Sequence, residues 1–419
     1  MDSKQLFFLI ENKKEQLFEL LSSMIQVNTE NFRSHGNEQA LAEIIHQMCQ
    51  QSGLECELYS PMELEGFEQH PDYMPGRNLE NRFNVTARWK GKEDIDEVML
   101  LGHLDTVEIG ELSNWEKDPL SGEVSDGKIW GRGAGDNKYA LAVCLFLIQI
   151  MKESGFVPRK NLLFSAYCDE EHGGSHGALA AVLKYPCNRI VSMDCSEDQI
   201  WNCASGGQGL RYFYHTLDTV DSAKKTASAI PVILEEIEKF GDRRRKELSE
   251  NPYFKGTIFP ETALRYMGIR AGNNGMDLGI GEVSFTFYTD RTKETIEKEL
   301  EELKRILDNR LSEMGMAGDG FQPRTRFFHY ISCEPDSEDI VLMQEASMEA
   351  VGKKPIVCGS CLSDLSVMSK YGNKKAFAFG MGRGFEKLGG AHQPNEFIEC
   401  DKLLEYTKII GGYLLKILS

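Results

Sequence analysis

Apolar segments recur along the first half of the chain, and their length and spacing separate strands from helices. NVTARWKG and EVMLLGHLD are short and apolar, as strands buried inside a sheet are. YALAVCLFLIQIMKESG is longer, apolar on every side and ends at a glycine, so it predicts a buried helix. NLLFSAYCDEE and RIVSMDCSE predict further strands, with a helix in SHGALAAVLKY between them. Strands that alternate with helices predict an α/β fold, in which helices cover both faces of a sheet.

The pattern changes after the glycine-rich segment SGGQG at residues 205–209. The segments that follow predict strand LRYFYHTLD, helix SAKKTASAIPVILEEIEKFG with a break or a helix start at Pro231, strands TALRYMGIR and EVSFTFYTDR, helix TKETIEKELEELKRILDNRLSEMG and strand RTRFFHYISC. This β-α-β-β-α-β order is that of ferredoxin-like domains. We therefore predict a ferredoxin-like α+β domain at residues 207–332, inserted into an α/β domain formed by residues 1–206 and 333–419.

The composition narrows the class of protein and of partner. A chain of 419 residues is too long for one compact core, which agrees with two domains. Its formal net charge of −18 argues against a nucleic acid or an anionic membrane as partner, because both attract a basic surface. The N-terminal segment has few consecutive apolar residues and many charges, unlike a secretory signal or a membrane span. Eleven cysteines without framework spacing favour reduced thiols and a cytoplasmic location.

Polar residues stand where several predicted strands and loops end. They lie in the segments MLLGHLDTV, GRGAGDNK, AYCDEEHGG, VSMDCSE and GGAHQPNEF, and are His103, Asp105, Asp136, Glu170, Glu171, Asp194 and His392. Because ligands of open α/β sheets gather at the carboxyl ends of strands, we expect these side chains in one cleft. Imidazoles and carboxylates without clustered thiolates suit Zn²⁺ or a similar divalent cation. Two such ions that share one bridging carboxylate account for the number of anionic groups.

Glu170 and Glu171 are adjacent, and neighbouring carboxylates repel each other unless a cation lies nearby. Successive side chains of an extended segment point in opposite directions, so one glutamate is able to bind metal while its neighbour holds the attacking water. Taken alone, each of these features is more often structural, since a buried histidine is usually hydrogen-bonded and a Glu-Glu pair is usually solvated. Their joint occurrence at five strand or loop ends favours a metal site.

On four motifs the sequence resembles the M20 metallopeptidases, a family that includes acetylornithine deacetylase, succinyl-diaminopimelate desuccinylase, carboxypeptidase G, aminoacylase-1 and the PepT and PepV peptidases. The motifs are LLGHLDTV, WEKDPLSGEVSDGKIWGRGAGDNK, FSAYCDEEHGGSHGA and GGAHQPNEFIE. The resemblance covers nearly the whole chain. It implies a zinc-peptidase-like catalytic domain, in which helices flank a mixed sheet, and an inserted lid through which such proteins form homodimers.

The resemblance also implies a role for each metal ligand. His103 and Asp194 would bind one divalent ion, Glu171 and His392 would bind the other, and Asp136 would bridge the two. Zn²⁺ is the expected ion, although Co²⁺ and Mn²⁺ accept the same ligands.

The same resemblance implies the chemistry. Glu170 would be the general base, which takes a proton from the metal-bound water that acts as nucleophile and passes it to the leaving nitrogen. Asp105 would orient the imidazole of His103 from behind. The peptide bond between Asp136 and Asn137 is expected to be cis. The reaction implied is hydrolysis of an amide or peptide bond.

The inserted domain departs from the family pattern. The histidine motif that usually follows its first strand is absent, and we expect His215 in that strand to be structural, which weakens the expectation of a dimer. The segment YTDR makes Arg291 a candidate for binding a substrate carboxylate, since a guanidinium matches a carboxylate in shape and charge. Asn273 and Asn274 lie in a segment that matches poorly and are weaker candidates. Asp194 stands where desuccinylase-like members tend to have Glu, which favours the dipeptidase and aminoacylase branches.

The resulting interpretation is a dimetal hydrolase that acts on a small molecule, either a dipeptide or an N-acyl amino acid. Alternatives within the family are deacylases of the acetylornithine or succinyl-diaminopimelate type. The M28 aminopeptidases combine similar ligands but lack an inserted ferredoxin-like domain. A silent binding protein on the same fold would be expected to have lost a ligand or Glu170, and none is lost. The lid loops and residues 359–364 are expected to select the substrate, which the sequence does not name.

Overall fold

A computed structural model describes residues 1–218, 220–272 and 279–419. The chain divides into two compact units. The first unit is formed by Met1–Asn202, Ser332–Cys358 and Val367–Ser419, and the second by Cys203–Ile331 and Gly359–Ser366. The second unit thus includes residues 359–366, which the sequence prediction had assigned to the other domain.

The bounds of the regular elements are as follows. The strands are β1 (Glu55–Tyr59), β2 (Asn84–Trp89), β3 (Asp96–His103), β4 (Val124–Ser125), β5 (Lys128–Trp130), β6 (Asn161–Tyr167), β7 (Arg189–Ser192), β8 (Gln199–Ala204), β9 (Gly206–Thr216), β10 (Leu264–Gly272), β11 (Ile280–Thr289), β12 (Met316–Pro323), β13 (Ile331–Ser332), β14 (Ile356–Ser360), β15 (Phe377–Phe379) and β16 (Phe397–Glu399). The helices are α1 (Ser3–Asn12), α2 (Lys14–Ile25), α3 (Gln39–Gln51), α4 (Lys138–Glu153), α5 (His176–Lys184), α6 (Ser222–Glu250), α7 (Lys293–Glu313), α8 (Glu338–Val351), α9 (Leu365–Val367) and α10 (Cys400–Leu418). Across the described part of the chain, no helix has the length and apolar character needed to span a bilayer.

The large sheet is mixed and runs in the order β1-β2-β6-β3-β7-β15-β8-β13, with β14 beside β8. Its centre is parallel, since β3 runs parallel to both β6 and β7, and β7 runs parallel to β15. Strands β1 and β2 are antiparallel to their neighbours on one side, and β8 is antiparallel to β15 on the other. This arrangement confirms the predicted α/β fold with a mixed sheet.

The register of the parallel strands positions the candidate site. His103 at the end of β3 lies opposite Tyr167 at the end of β6, and Leu101 of β3 lies opposite Ser192 at the end of β7. Because parallel strands share a direction, their carboxyl ends meet at one edge of the sheet. The buried helix α4 packs against β3 and begins directly after the turn that carries Asp136.

The second unit contains an antiparallel sheet in the order β10-β11-β9-β12, against which α6 and α7 pack. Its elements follow one another as β9, α6, β10, β11, α7 and β12. The core between the sheet and the helices is formed by apolar side chains that include Tyr212, Ile233, Phe240, Phe285 and Leu307.

Two sequence predictions for this unit are wrong. The last strand of the sheet is β12 and not RTRFFHYISC. Strand β12 was not predicted because Gly318 and Gly320, with a bulge between them, interrupt the alternation of apolar and polar residues. Helix α6 continues through Pro231, where a break or a helix start was predicted. Pro231 is exposed, so water can hydrogen-bond the carbonyl that loses its partner in the preceding turn.

Candidate metal centre and active site

The candidate site lies where β3, β6 and β7 end. His103 is the last residue of β3, and its partner in register, Tyr167, is the last residue of β6. The chain after β6 turns at Asp169, whose φ of 62° is left-handed. This turn brings Glu171 back to the segment after β3, where the N–H of Val107 donates to Glu171 Oε1 at 3.1 Å.

Histidines and carboxylates form the centre of the site. His103, Asp136 and Glu171 each offer one ligand atom, and these atoms lie within 4.8 Å of one another. His103 Nε2 lies 3.0 Å from Asp136 Oδ1. His392 Nε2 lies 3.3 Å from Asp136 Oδ2 and 2.8 Å from Glu171 Oε2. Asp136 therefore directs one carboxylate oxygen at each imidazole.

The carboxylates set the electrostatics of the site. Burial lowers the pKa of His103, but the hydrogen bond and charge of Asp136, together with the charge of Glu170, raise it well above its ordinary value. Burial also lowers the pKa of His392, whereas the charges of Glu171 and Asp136 raise it to about 11. For Asp136 burial raises the pKa, yet the two imidazoles bring it below the usual range. The cluster therefore favours positive charge, whether as protons on the imidazoles or as metal ions.

The side chains fit a divalent cation. Imidazoles and carboxylates are the ligands that Zn²⁺ and similar ions accept. His103 Nδ1 lies 2.8 Å from the backbone oxygen of Asp105, which leaves Nε2 on the side of Asp136. A cation between Asp136 and Glu171 would also offset the repulsion between these two carboxylates.

The carboxylate of Asp105 hydrogen-bonds the turn after β6, whereas it reaches the imidazole of His103 only through its charge. It lies 3.8 Å from His103 Nδ1, beyond hydrogen-bond distance, because the backbone oxygen of the same residue occupies that position. The carboxylate accepts the N–H groups of Glu170 and Glu171 at 3.0 and 3.1 Å, and the amide of Asn31 at 2.6 Å. It thereby fixes the backbone that carries both glutamates.

Asp194 follows β7 and is not one of the three residues, His103, Asp136 and Glu171, whose ligand atoms lie within 4.8 Å of one another. The residue before it, Met193, accepts a hydrogen bond from Asn137 Nδ2 at 3.1 Å. Asn137 Oδ1 accepts the N–H of His103 at 3.2 Å, and the peptide bond before Asn137 is cis, as expected. The turn before α4 therefore joins the end of β3 to the end of β7.

A buried ionic network supports the turn after β6. Asp169 accepts a hydrogen bond from Arg82 Nη1 at 2.7 Å, lies 2.6 Å from His176 Nδ1 and pairs with Arg77. Arg82 Nε donates to Glu38 Oε1 at 2.5 Å. Burial raises the pKa of Asp169, but Arg82, His176 and Arg77 bring it below its usual range. Asp169 and His176 lie within the motif FSAYCDEEHGGSHGA, but Arg82 and its partner Glu38 lie in no quoted motif and are distant along the chain, so the sequence does not indicate the network.

The candidates in the second unit have other partners. His215 Nδ1 lies 3.0 Å from Asp319 Oδ1 on the neighbouring strand, a structural contact. Arg291 is half exposed, and its Nε lies 3.2 Å from Glu247 Oε1. Asn274 lies outside the described residues.

The family profile described as peptidase family M20/M25/M40 matches residues 99–416. The chain belongs to this family. The match confirms the resemblance carried by the four motifs, all of which lie inside the matched range.

Curated relatives of this M20 chain have several names. "Probable carboxypeptidase S-like 2" of Dictyostelium discoideum is 32% identical over 114 residues, which is 27% of this chain and 22% of that protein. N-formyl-4-amino-5-aminomethyl-2-methylpyrimidine deformylase of Bacillus subtilis is 22% identical over 362 residues, which is 79% of this chain and 82% of that protein. The match thus spans less than a quarter of the Dictyostelium relative.

Solved structures share the fold of this M20 chain. The di-peptidase Dug1p of Saccharomyces cerevisiae has a TM-score of 0.74 at 16% identity, with 98% of each chain covered. Human carnosine dipeptidase 1 has a TM-score of 0.71 at 14% identity, with 99% of each chain covered. The likeness therefore extends over almost the whole chain.

Proposed function

We propose that this M20 family member is a metal-dependent hydrolase of an amide or peptide bond in a dipeptide or an N-acyl amino acid. The observation that carries the proposal is the convergence of His103, Asp136, Glu171 and His392, with Glu170 next to them in the chain. Relatives named for peptide, succinyl and formyl substrates all cleave a carbonyl–nitrogen bond, which supports this reaction class.

We assign the ligands of two divalent ions, with Zn²⁺ favoured. His103 and Asp194 would hold one ion, Glu171 and His392 the other, and Asp136 would lie between them. The position of Asp136 supports the assignment, because each of its carboxylate oxygens faces a different imidazole. When bound, such ions would polarise the scissile carbonyl and lower the pKa of a water molecule.

Glu170 is the general base in this proposal. Its charge contributes to the raised pKa of His103, and its N–H is held by Asp105. Glu170 takes a proton from water while the water oxygen bonds to the carbonyl carbon. It then delivers that proton to the nitrogen as the carbon–nitrogen bond breaks, which returns the carboxylate to its starting state.

The proposed substrates carry a carboxylate, which a guanidinium suits in charge and shape. We propose that Arg291 binds it, in place of the pairing that Arg291 now makes with Glu247. Homodimer formation through the second unit is a further family expectation, which the molar mass in solution would check.

The test is metal analysis of purified protein, followed by a hydrolysis screen of dipeptides and of N-acetyl, N-formyl, N-succinyl and N-carbamoyl amino acids. We expect two ions per chain and hydrolysis that a chelator abolishes and Zn²⁺ restores. The preferred class decides between a dipeptidase and a deacylase. Protein that binds zinc, cobalt or manganese yet hydrolyses nothing in the panel contradicts the proposal.

A further inference from the structure

Glu396 lies four residues after His392, and its carboxylate reaches the loop that carries Asp136. The Glu396 side chain is 1% exposed. Its Oε1 accepts the N–H of Gly135 at 2.8 Å and the N–H of Asp136 at 3.1 Å. Its Oε2 lies 2.7 Å from Arg132 Nη1. A side chain from the His392 segment therefore holds the backbone of a proposed metal ligand from another segment.

Arg132 makes the reciprocal connection. Its side chain is 3% exposed, and the Nη1 that binds Glu396 also donates to the backbone oxygen of Gln393 at 3.2 Å. The ring of Trp115 lies against the guanidinium, with its centroid 5.1 Å from Arg132 Cζ. Because Gln393 directly follows His392, Arg132 holds the backbone next to that imidazole.

Main-chain hydrogen bonds join the same two segments. The N–H of Gly131 donates to the backbone oxygen of Glu396 at 2.9 Å. Strands β5 and β16 pair in antiparallel fashion, with Trp130 opposite Phe397. The side-chain pair lies at the end of this small sheet, where the loop to Asp136 leaves it.

We propose that Glu396 and Arg132 are positioning residues, which fix Asp136 relative to His392 and thereby set the affinity for the ion that these two would share. The inference rests on the proposed dimetal function. His392 has a φ of 62°, a left-handed conformation that costs a non-glycine residue free energy unless its surroundings hold it. The two segments therefore need a firm connection to keep His392 Nε2 3.3 Å from Asp136 Oδ2.

A purely structural role is the competing explanation of this buried pair. Desolvation of two charges opposes their attraction, so a buried ion pair is weak evidence for a role in stability. The two explanations differ in what a folded variant does. A positioning role predicts weaker metal binding in protein whose fold is intact, whereas a structural role predicts lower stability with unchanged affinity in the folded fraction.

Glu396→Gln separates the two roles. The glutamine has nearly the same volume, but its amide nitrogen must face either Arg132 or the N–H groups of Gly135 and Asp136, and all of these are donors. We expect the zinc affinity of the site that Asp136 and His392 would share to fall about 10- to 100-fold, as it does when groups behind metal ligands are changed. Activity should fall at limiting zinc and recover at excess zinc.

The matched control is Glu399→Gln. Glu399 lies three residues after Glu396, at the end of strand β16, and is exposed, with its Oε1 3.8 Å from Arg383 Nη1. Zinc binding is measured for wild type and both variants by competition with a chromophoric chelator. Circular dichroism and thermal unfolding of the metal-free proteins report the fold. The proposal is overturned if Glu396→Gln binds both zinc ions with wild-type affinity. It is also overturned if Glu399→Gln loses as much zinc affinity as Glu396→Gln does.

Arg132→Lys provides a second test, which can be used even if Glu396→Gln does not fold. A lysine keeps the charge, but it lacks the planar guanidinium that lies against Trp115 and directs Nη1 at both Glu396 and the carbonyl of Gln393. We expect about tenfold weaker zinc binding at one site, and wild-type affinity in folded Arg132→Lys overturns the proposal. If wild-type protein binds zinc but hydrolyses nothing, the proposed function is refuted. The zinc affinities of wild type and variants still decide whether Glu396 and Arg132 are positioning residues. Wild-type protein that binds no divalent ion refutes both.

Discussion

The carboxylate of Asp105 accepts the backbone N–H of Glu170 at 3.0 Å. The next N–H along the chain, that of Glu171, lies 3.1 Å from the same carboxylate. One side chain at the end of β3 therefore holds the backbone of the proposed base and of a proposed metal ligand at the end of β6. A buried acceptor thus holds the backbone of the two glutamates without any contribution from a metal ion.

Asp105→Asn places an N–H donor among groups that donate to the present carboxylate. We expect kcat to fall about 100-fold, because a small displacement of a catalytic group has an effect of that size. Zinc content should be unchanged, since the backbone oxygen of residue 105 still holds His103. Steady-state kinetics with metal analysis check this, and Asp126→Asn in an exposed turn is the control. A variant that loses zinc but has normal kcat once reloaded would assign Asp105 to metal binding instead.

Glu170→Gln and Glu171→Gln should have opposite effects. The first removes the proposed proton carrier and keeps the ligands, so we expect two bound ions and a kcat lower by about 10²- to 10⁴-fold. The second removes a proposed ligand that contacts His392, so we expect one ion to bind more weakly. Metal stoichiometry and single-turnover rates distinguish them. If Glu170→Gln loses an ion while Glu171→Gln keeps both, the two roles are reversed.

Much of the first unit could be predicted from the sequence, because its strands are buried and therefore uniformly apolar. The predicted strands EVMLLGHLD and NLLFSAYCDEE correspond to β3 and β6, which end earlier, at His103 and Tyr167. Strand β12 could not be recognised, since Gly318 and Gly320 interrupt its alternation. Local sequence patterns indicate burial and turns. They therefore do not identify a strand in which glycines replace the apolar residues of one face.

The groups behind the proposed ligands were harder to predict than the ligands. Glu396 lies inside a quoted motif, yet its contact with the N–H of Asp136 depends on how two distant segments meet. Arg82 has no motif at all, although it is fully buried between Glu38 and Asp169. An arginine in a polar segment is usually solvated, and only the tertiary structure shows the exception.

The network around Asp169 predicts how stability responds to acid. Its pKa is lower in the folded protein than the ordinary value of 3.8, so its ionised form stabilises the fold above that pH. This contribution is lost as the pH falls below about 4, because the unfolded chain then takes up a proton that the folded chain does not. Asp169→Asn should be less stable at neutral pH, by about 3–5 kcal/mol, since it leaves buried cations without their partner. Its free energy of unfolding should also change less than that of wild type between about pH 4 and pH 2. Urea unfolding of metal-free protein measures both effects, with Asp126→Asn as control, and equal acid dependence in variant and wild type would contradict the account.

Zinc binding should release protons. Asp136 and Glu171 raise the pKa of His392 to about 11, and Asp136 raises that of His103, so both imidazoles are protonated in metal-free protein at neutral pH. An ion that binds Nε2 must displace that proton, which makes the apparent affinity rise with pH. Calorimetry in two buffers of different ionisation enthalpy counts the protons released. We expect the apparent zinc affinity to increase from about pH 6 to about pH 8, and His392→Gln to release fewer protons than wild type. Equal binding heats in both buffers would mean that zinc binding releases no proton from either imidazole. The assigned ligand set would then be wrong.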